Sequence, residues 1–263
     1  MVKTQILNEL LQILTKYLKV NVKFGEDYDA DRRLFRGLTN QCLTLIGIDE
    51  KFYTLQDKLL SMERDEKGVV DVESFKYENN IALYQGDITR LKADAIVNAA
   101  NDDYLGCFIP NHDCIDNVIM SASGFQMRNE LYKLKFDKTY TLQSVRVTYG
   151  YNLPCKYVFH VAGPQAFGRI TNKEEQELAN CYINCLNKAK EMKLKSIVFC
   201  CISTGVYSFP IILAAKIAVQ TVKRWQREND YDIKIVFDVF KDLDKELYEL
   251  RLQTESCYSK MSH

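Results

Sequence analysis

The segment GCFIPNHDCIDN brings Cys107, His112 and Cys114 within eight residues. Two thiols and an imidazole are ligand types that zinc accepts. The spacing Cys-x4-His-x-Cys does not lie on one face of a helix, but a loop opened by Gly106 and bent at Pro110 can fold around an ion. No fourth ligand stands out nearby, and three protein ligands leave one coordination position for water or substrate, the catalytic rather than the structural arrangement. The plain alternative is two small buried thiols and a histidine that caps the following helix. Three ligand types this close, in a chain with three histidines in all, favour the metal. Asp116 is the carboxylate just after this cluster. It is a candidate for orienting a reacting group, or else a charge suited to a helix's first turn.

Two further stretches could hold a ligand. In CCISTGVYSFP an apolar strand ends in Ser203, Thr204, Gly205, Val206 and Tyr207, and a helix starts near Pro210. Successive backbone N–H groups in such a turn, backed by a helix N-terminus, can cradle an anion without a lysine. The same residues also suit an ordinary strand-to-helix connection. In YQGDIT and DAIVNAAN, polar residues follow apolar strands. Asp87 at a strand end can accept from an exocyclic amine, and Asn98 and Asn101 can bridge sugar hydroxyls. Read plainly, Asp87 is an N-cap and the asparagines are turn residues.

Taken together, these stretches resemble a known family. IALYQGDITRLKADAIVNAAN at 81–101 resembles the opening of a macrodomain, the α/β/α module that binds ADP-ribose, and CISTGVYSFP resembles its diphosphate loop. LGCFIPNHDCIDNVI is similar to the zinc-dependent macrodomain group, and the likeness continues through GYNLPCKYVFHVAGP and back into DRRLFRGLTNQ and LQDKLL. The resemblance implies that Asp87 accepts from the adenine amino group with the Ile88 N–H in support. It implies that 203–207 holds the diphosphate, with Tyr207 packed against the distal ribose. Asn98 and Asn101 would orient that ribose, Asn101 and Asp116 would serve catalysis, and Cys107, His112 and Cys114 would hold Zn2+. The implied activity is hydrolysis of mono-ADP-ribose from protein side chains through an O-glycosidic bond, releasing ADP-ribose. Its setting would include a lipoyl-carrier-like substrate and a sirtuin-type transferase. A non-catalytic ADP-ribose reader with a structural zinc is the alternative. Two features depart from the group: Met120 stands where a histidine is usual, and the stretch 140–144 lacks an expected glycine.

The elements that must position these residues follow from periodicity. Apolar residues recur at helical spacing over 3–19, 31–42 and 51–62, so residues 1–75 read as a helical N-terminal extension. From 76 to 263 short strands at 81–84, 95–97, 145–148, 157–161, 196–201 and 234–237 alternate with helices at 114–134, 173–192, 211–227 and 242–256. That alternation predicts a three-layer α/β/α macrodomain with a mixed central sheet. His160 on an apolar strand reads as a core residue, Cys181 and Cys185 as buried thiols, and Trp225 as packing.

Composition narrows the rest. The 263 residues carry 35 Lys+Arg against 35 Asp+Glu, so no global positive field exists to grip nucleic acid. No run of eighteen apolar residues predicts a membrane span. Nine cysteines in a chain of this length predict reduced thiols and a cytoplasmic setting, and the polar-interrupted N-terminus reads as an amphipathic helix rather than a signal peptide.

Overall fold

The structure, a computed structural model, describes residues 2–136 and 144–261, with side chains described as far as Thr254. Most of the 140–144 stretch therefore lies outside the described residues. Three helices come first: α1 (Lys3–Leu18), α2 (Tyr28–Gln41) and α3 (Lys51–Lys67). Ile6, Leu7, Leu10, Leu11 and Leu14 of α1 fall on one stripe and are buried against Phe35, Phe52, Leu55 and Leu59. Each such side chain contributes about 1.5–3 kcal/mol through burial, enough to hold short helices that would fray alone. Phe125 from the main body completes this small core.

The strands are β1 (Val70–Asp71), β2 (Ile81–Gln85), β3 (Leu91–Lys92), β4 (Ala95–Ala99), β5 (Arg146–Tyr149), β6 (Tyr157–Val161), β7 (Ser196–Phe199) and β8 (Lys234–Val239). Six form one mixed sheet in the order β2-β8-β7-β4-β6-β5, parallel except that β5 runs antiparallel to β6. The two-residue strands β1 and β3 pair separately, and Val72 already belongs to the main core. On one face lie α4 (Ile115–Ser123) and α5 (Phe125–Leu134). On the other lie α6 (Asn172–Glu191), α7 (Ile211–Glu228) and α8 (Asp242–Met261), packed through Tyr182 on Phe199 and Tyr248 on Phe237.

The single helix expected over 114–134 is two helices. Gly124, at φ +101°, breaks it, because a side chain there would meet the Gln56 and Gln126 amides at 2.8 Å. Gln56 then accepts from the Phe125 N–H at 3.0 Å, so the extension caps α5. Strand β5 starts one residue later than the pattern suggested, and β4 and β8 each run two residues further.

Neighbours β4 and β7 send their following segments in opposite directions across the sheet: β5 and β6 lie to one side of β4, β8 and β2 to the other. Open parallel sheets bind ligands at such a crevice, outside the strand carboxyl ends. Both ligand-type motifs leave the sheet there.

Candidate active site

After β4 the chain enters the 107–114 loop. Tyr104, Gly106 and Asn111 all have positive φ (58°, 81° and 53°), which coils this segment tightly. Gly106 has no room for a side chain: a Cβ would stand 2.9 Å from Met120 Cγ. The coil brings the ligand atoms of Cys107, His112 and Cys114 within 4.8 Å of one another, with Cys107 Sγ 3.5 Å from His112 Nδ1. A tetrahedral zinc site places such atoms about 3.4–3.8 Å apart, so the donor set fits the ion and the trio needs to close by no more than about 1 Å around it. Cys114, not His112, is the N-cap of α4, and its sulfur accepts from the Asn117 N–H at 3.4 Å. Burial, together with the nearby Cys107 and Asp116, pushes the Cys114 thiol up to about 12. A bound dication is what would make it a thiolate at neutral pH.

The helical extension grips this loop from behind. The Arg36 guanidinium donates to the His112 carbonyl at 2.8 Å and to Asn117 Oδ1 at 2.8 and 3.1 Å. Asn40 Oδ1 accepts from the Asn111 N–H at 3.0 Å. From α5, buried Arg128 donates to the carbonyls of Asn40 and Cys42, each at 2.7 Å, and to that of Cys107 at 3.1 Å, while lying over the Phe108 ring. Gly37 lets the loop come this close, since a Cβ would be 3.0 Å from Asn111 Nδ2. Arg36, Gly37 and Asn40 lie in the DRRLFRGLTNQ stretch, but only the fold makes them partners of the loop.

Asp116 faces inward rather than to solvent. It is 5 % exposed, its Oδ1 accepts from Asn98 Nδ2 at 2.7 Å, and its Oδ2 has no partner. Burial raises it to about 6, against the opposing effects of the Asn98 amide and the Arg128 charge. Asn98 is fully buried; its amide nitrogen serves Asp116 and, at 3.1 Å, His160 Nδ1, while its Oδ1 has no partner among the described residues. His160 Nε2 in turn lies 3.0 Å from the Thr148 hydroxyl. Since the Asn98 amide can only donate, His160 Nδ1 accepts and Nε2 carries the hydrogen. Burial, reinforced by Arg146, lowers the imidazole to about 3 and keeps it neutral. Asn101 is the more available asparagine. Its amide donates to the Gly106 carbonyl at 3.1 Å, and its Oδ1 has no partner.

Across the crevice, after β7, the 203–207 turn is built from backbone. Ser203 has φ +66°, and its carbonyl accepts from the Phe209 N–H at 3.0 Å. Thr204 is tied by its hydroxyl to the Cys201 carbonyl at 3.1 Å. Among the described residues, no protein partner takes the backbone N–H groups of Gly205, Val206 and Tyr207, and none lies within 4 Å of where a Gly205 Cβ would stand, its chain neighbours aside. The wall opposite is Gly163, where a Cβ would fall 2.1 Å from Ser203 Oγ. Tyr207 donates to Asp102 Oδ1 at 3.1 Å, and Gln165 donates to the other oxygen at 2.8 Å, bridging the two banks. Burial, then the Asp102 charge, raises the Tyr207 phenol to about 12.

At the far end Asp87 does what its plain reading said: it caps a short 3-10 turn, accepting from the Thr89 N–H at 2.9 Å and hydroxyl at 2.6 Å. Its Oδ2 lies 3.5 Å from Lys67 Nζ. Ile88 is buried beside it. Two residues on adjacent β8 escaped the pattern analysis. Phe240 follows the strand with its ring 76 % exposed, and its carbonyl accepts from Gln85 of the Asp87 strand. Asp238 is buried with Oδ1 unpartnered, and burial, with the nearby Asp87, raises it to about 8. A solitary carboxylate in an apolar strand was the available signal for Asp238. For Phe240 there was none.

Comparison with known proteins agrees with this layout. The macro domain family model matches residues 97–218. A protein-ADP-ribose hydrolase of Staphylococcus aureus (strain MRSA252) is 42 % identical over 221 residues, 82 % of each chain. Another, from Treponema medium, is 39 % identical over 234 residues, covering 86 % of this chain and 89 % of the relative. The Trypanosoma brucei macrodomain, solved in complex with ADP-ribose, superposes with TM-score 0.61 at 28 % identity, covering 91 % of this chain and 94 % of that one. By sequence, sheet order and the two motifs flanking its crevice, the chain belongs to the macrodomain family.

Proposed function

We propose that the chain is a zinc-dependent hydrolase that removes mono-ADP-ribose from protein side chains, cleaving an O-glycosidic bond and releasing ADP-ribose. The observation that carries it is a cluster of unpartnered polar atoms. Asn98 Oδ1, Asn101 Oδ1, Asp116 Oδ2 and Ser203 Oγ are buried with no hydrogen-bond partner, all about the carboxyl ends of β4 and β7. Buried polar atoms are normally paired. A ligand rich in hydroxyl and phosphoryl groups supplies what these lack. The relatives named as hydrolases support turnover rather than binding alone.

In this reading Asp87 accepts from the adenine amine, and Phe240 stacks on the base. The N–H groups of 205–207 hold the diphosphate, and Tyr207 packs on the distal ribose. Asn101 Oδ1 accepts from a ribose hydroxyl. Asp116 Oδ2 orients the ribose or the attacking water, while Asn98 positions Asp116 from beneath. Cys107, His112 and Cys114 would hold Zn2+, which when bound supplies Lewis-acid polarisation or a water of lowered pKa beside the distal ribose. The lipoyl-carrier-like acceptor, the sirtuin-type transferase and the cytoplasmic setting belong to the same proposal. The eight described cysteines, all free, suit a reducing compartment.

One observation favours the reader instead. Met120 is buried against Gly106 at the root of the 107–114 loop, where it can neither move a proton nor bond a ribose. The two readings separate on a panel of mono-ADP-ribosylated proteins incubated with and without a strong chelator. Release of ADP-ribose only when metal is present supports the hydrolase. ADP-ribose binding without release under any metal condition establishes the reader.

A further inference from the structure

Between the helical extension and the main body, behind α4, lies a cavity of about 120 Å³ lined by Arg32, Arg36, Glu63, Arg64, Lys67 and Arg90 among others. Five of those six side chains are cationic, in a protein of zero net charge. The one carboxylate is already engaged. Glu63 is held by Arg32 at 2.7 and 2.9 Å and also accepts from the Tyr28 hydroxyl at 3.0 Å. Arg64 pairs with Asp65, whose side chain is 65 % exposed, and Lys67 reaches Asp87 only at 3.5 Å.

Arg36 and Arg90 are half-buried, and among the described residues no carboxylate lies within ion-pair distance of either. They donate instead to neutral acceptors: Arg36 to the His112 carbonyl and Asn117, and Arg90 to the Gly68 carbonyl at 2.9 Å. Partly desolvated cations that share a cavity without counter-charge are costly unless an anion joins them.

We infer that this cavity binds a phosphate-type oxyanion that ties the helical extension to the macrodomain body. Guanidinium forks match tetrahedral oxyanions, and a cleft lined by one sign of charge concentrates counter-ions. The space, about 120 Å³, is ample for a phosphate group. Arg36 and Arg64 come from the extension and Arg90 from the body, so the anion bridges both. The site lies behind α4 and borders the crevice at Asp87, 3.5 Å from Lys67, and the inference stands whether or not the hydrolase reading does.

Thermal unfolding of the full chain, saturated with ADP-ribose so that the 203–207 turn does not report, tests it. Inorganic phosphate is compared with chloride at equal ionic strength. Phosphate raises Tm by roughly 2–4 °C beyond chloride and saturates, since a ligand of the native state shifts the unfolding equilibrium. Arg90→Gln and Arg64→Gln, one from each side, lose at least half of that rise and keep ADP-ribose binding, which shows that they fold. A phosphate response no larger than that of chloride overturns the inference, as does an undiminished response in both variants. If a phosphoserine peptide saturates at lower concentration than inorganic phosphate, the occupant is a phosphorylated chain; otherwise it is the free ion.

Discussion

The 107–114 loop and the 203–207 turn face each other across one crevice but are built by opposite means. The loop depends on side chains: two thiols and an imidazole in front, and Arg36, Asn40 and Arg128 behind, drawn from α2 and α5. The turn depends on backbone, with N–H groups left open and Gly163 set against Ser203 to fix its path. A site made of side chains is legible in sequence and vulnerable to substitution at each ligand. A site made of backbone is vulnerable chiefly where sterics shape it. In the proposed function the contrast separates chemistry on one bank from ligand grip on the other, and each bank can be broken alone.

The largest effect is expected from Cys107→Ser or a strong chelator. De-ADP-ribosylation falls by about 10³-fold or more, while affinity for ADP-ribose stays within about threefold, because loss of a metal removes transition-state stabilisation rather than grip. A variant lacking zinc yet fully active in the release assay would end the zinc proposal. On the other bank, Gly163→Ala drives a methyl to 2.1 Å from Ser203 Oγ and displaces the turn. Calorimetric affinity for ADP-ribose then falls by about 10–100-fold with metal content unchanged, as a misplacement of a few tenths of an ångström or more costs oriented hydrogen bonds.

Arg36→Ala probes the grip behind the loop. Removing an outer partner of a metal site lowers metal affinity by about 10–100-fold. Competition with a chromophoric chelator reads this directly, and unchanged affinity would make Arg36 a mere surface contact. Phe240→Ala should weaken ADP-ribose by only about 2–10-fold, the scale of one aromatic stack, without altering metal content. The smallest change concerns stability. Asp238 keeps its proton in the fold up to about pH 8, whereas unfolded it titrates near 3.9. The unfolded chain therefore binds fewer protons between those values, and stability falls as pH rises through that window. Asp238→Asn removes this slope and makes the chain more stable than the parent at pH 8. Denaturant midpoints at pH 5 and pH 8 check it, and a slope that persists in the variant refutes the assignment to Asp238. His160 acts oppositely. Lowered to about 3 in the fold and about 6.5 when unfolded, it contributes stability fully above 6.5 and loses it as pH falls toward 3.

Legibility varied with how local the physical cause was. Cys107, His112 and Cys114 declared themselves because ligand types cluster within eight residues, and the coil of 104–111 closes the rest. Helix α1 was plain from its leucine stripe. The break at Gly124 was not, because its reason is the Gln56 amide, sixty-eight positions away. Asn98 was visible in its motif, but that its amide nitrogen turns from β4 toward Asp116 and His160 was not, because those partners lie 18 and 62 positions away.

The order of residues alone determined the elements, the α/β class, the close spacing of Cys107, His112 and Cys114, and the Gly205 turn, since propensity, periodicity and close spacing are local properties. Tertiary structure decided the rest: that Arg36 and Arg128 hold the loop, that Asp116 points inward, that Phe240 stands near Asp87, and that five cations share a cavity with one carboxylate. These depend on which distant segments meet. Meetings of that kind follow from burying two apolar cores against each other, and no short window of sequence contains them.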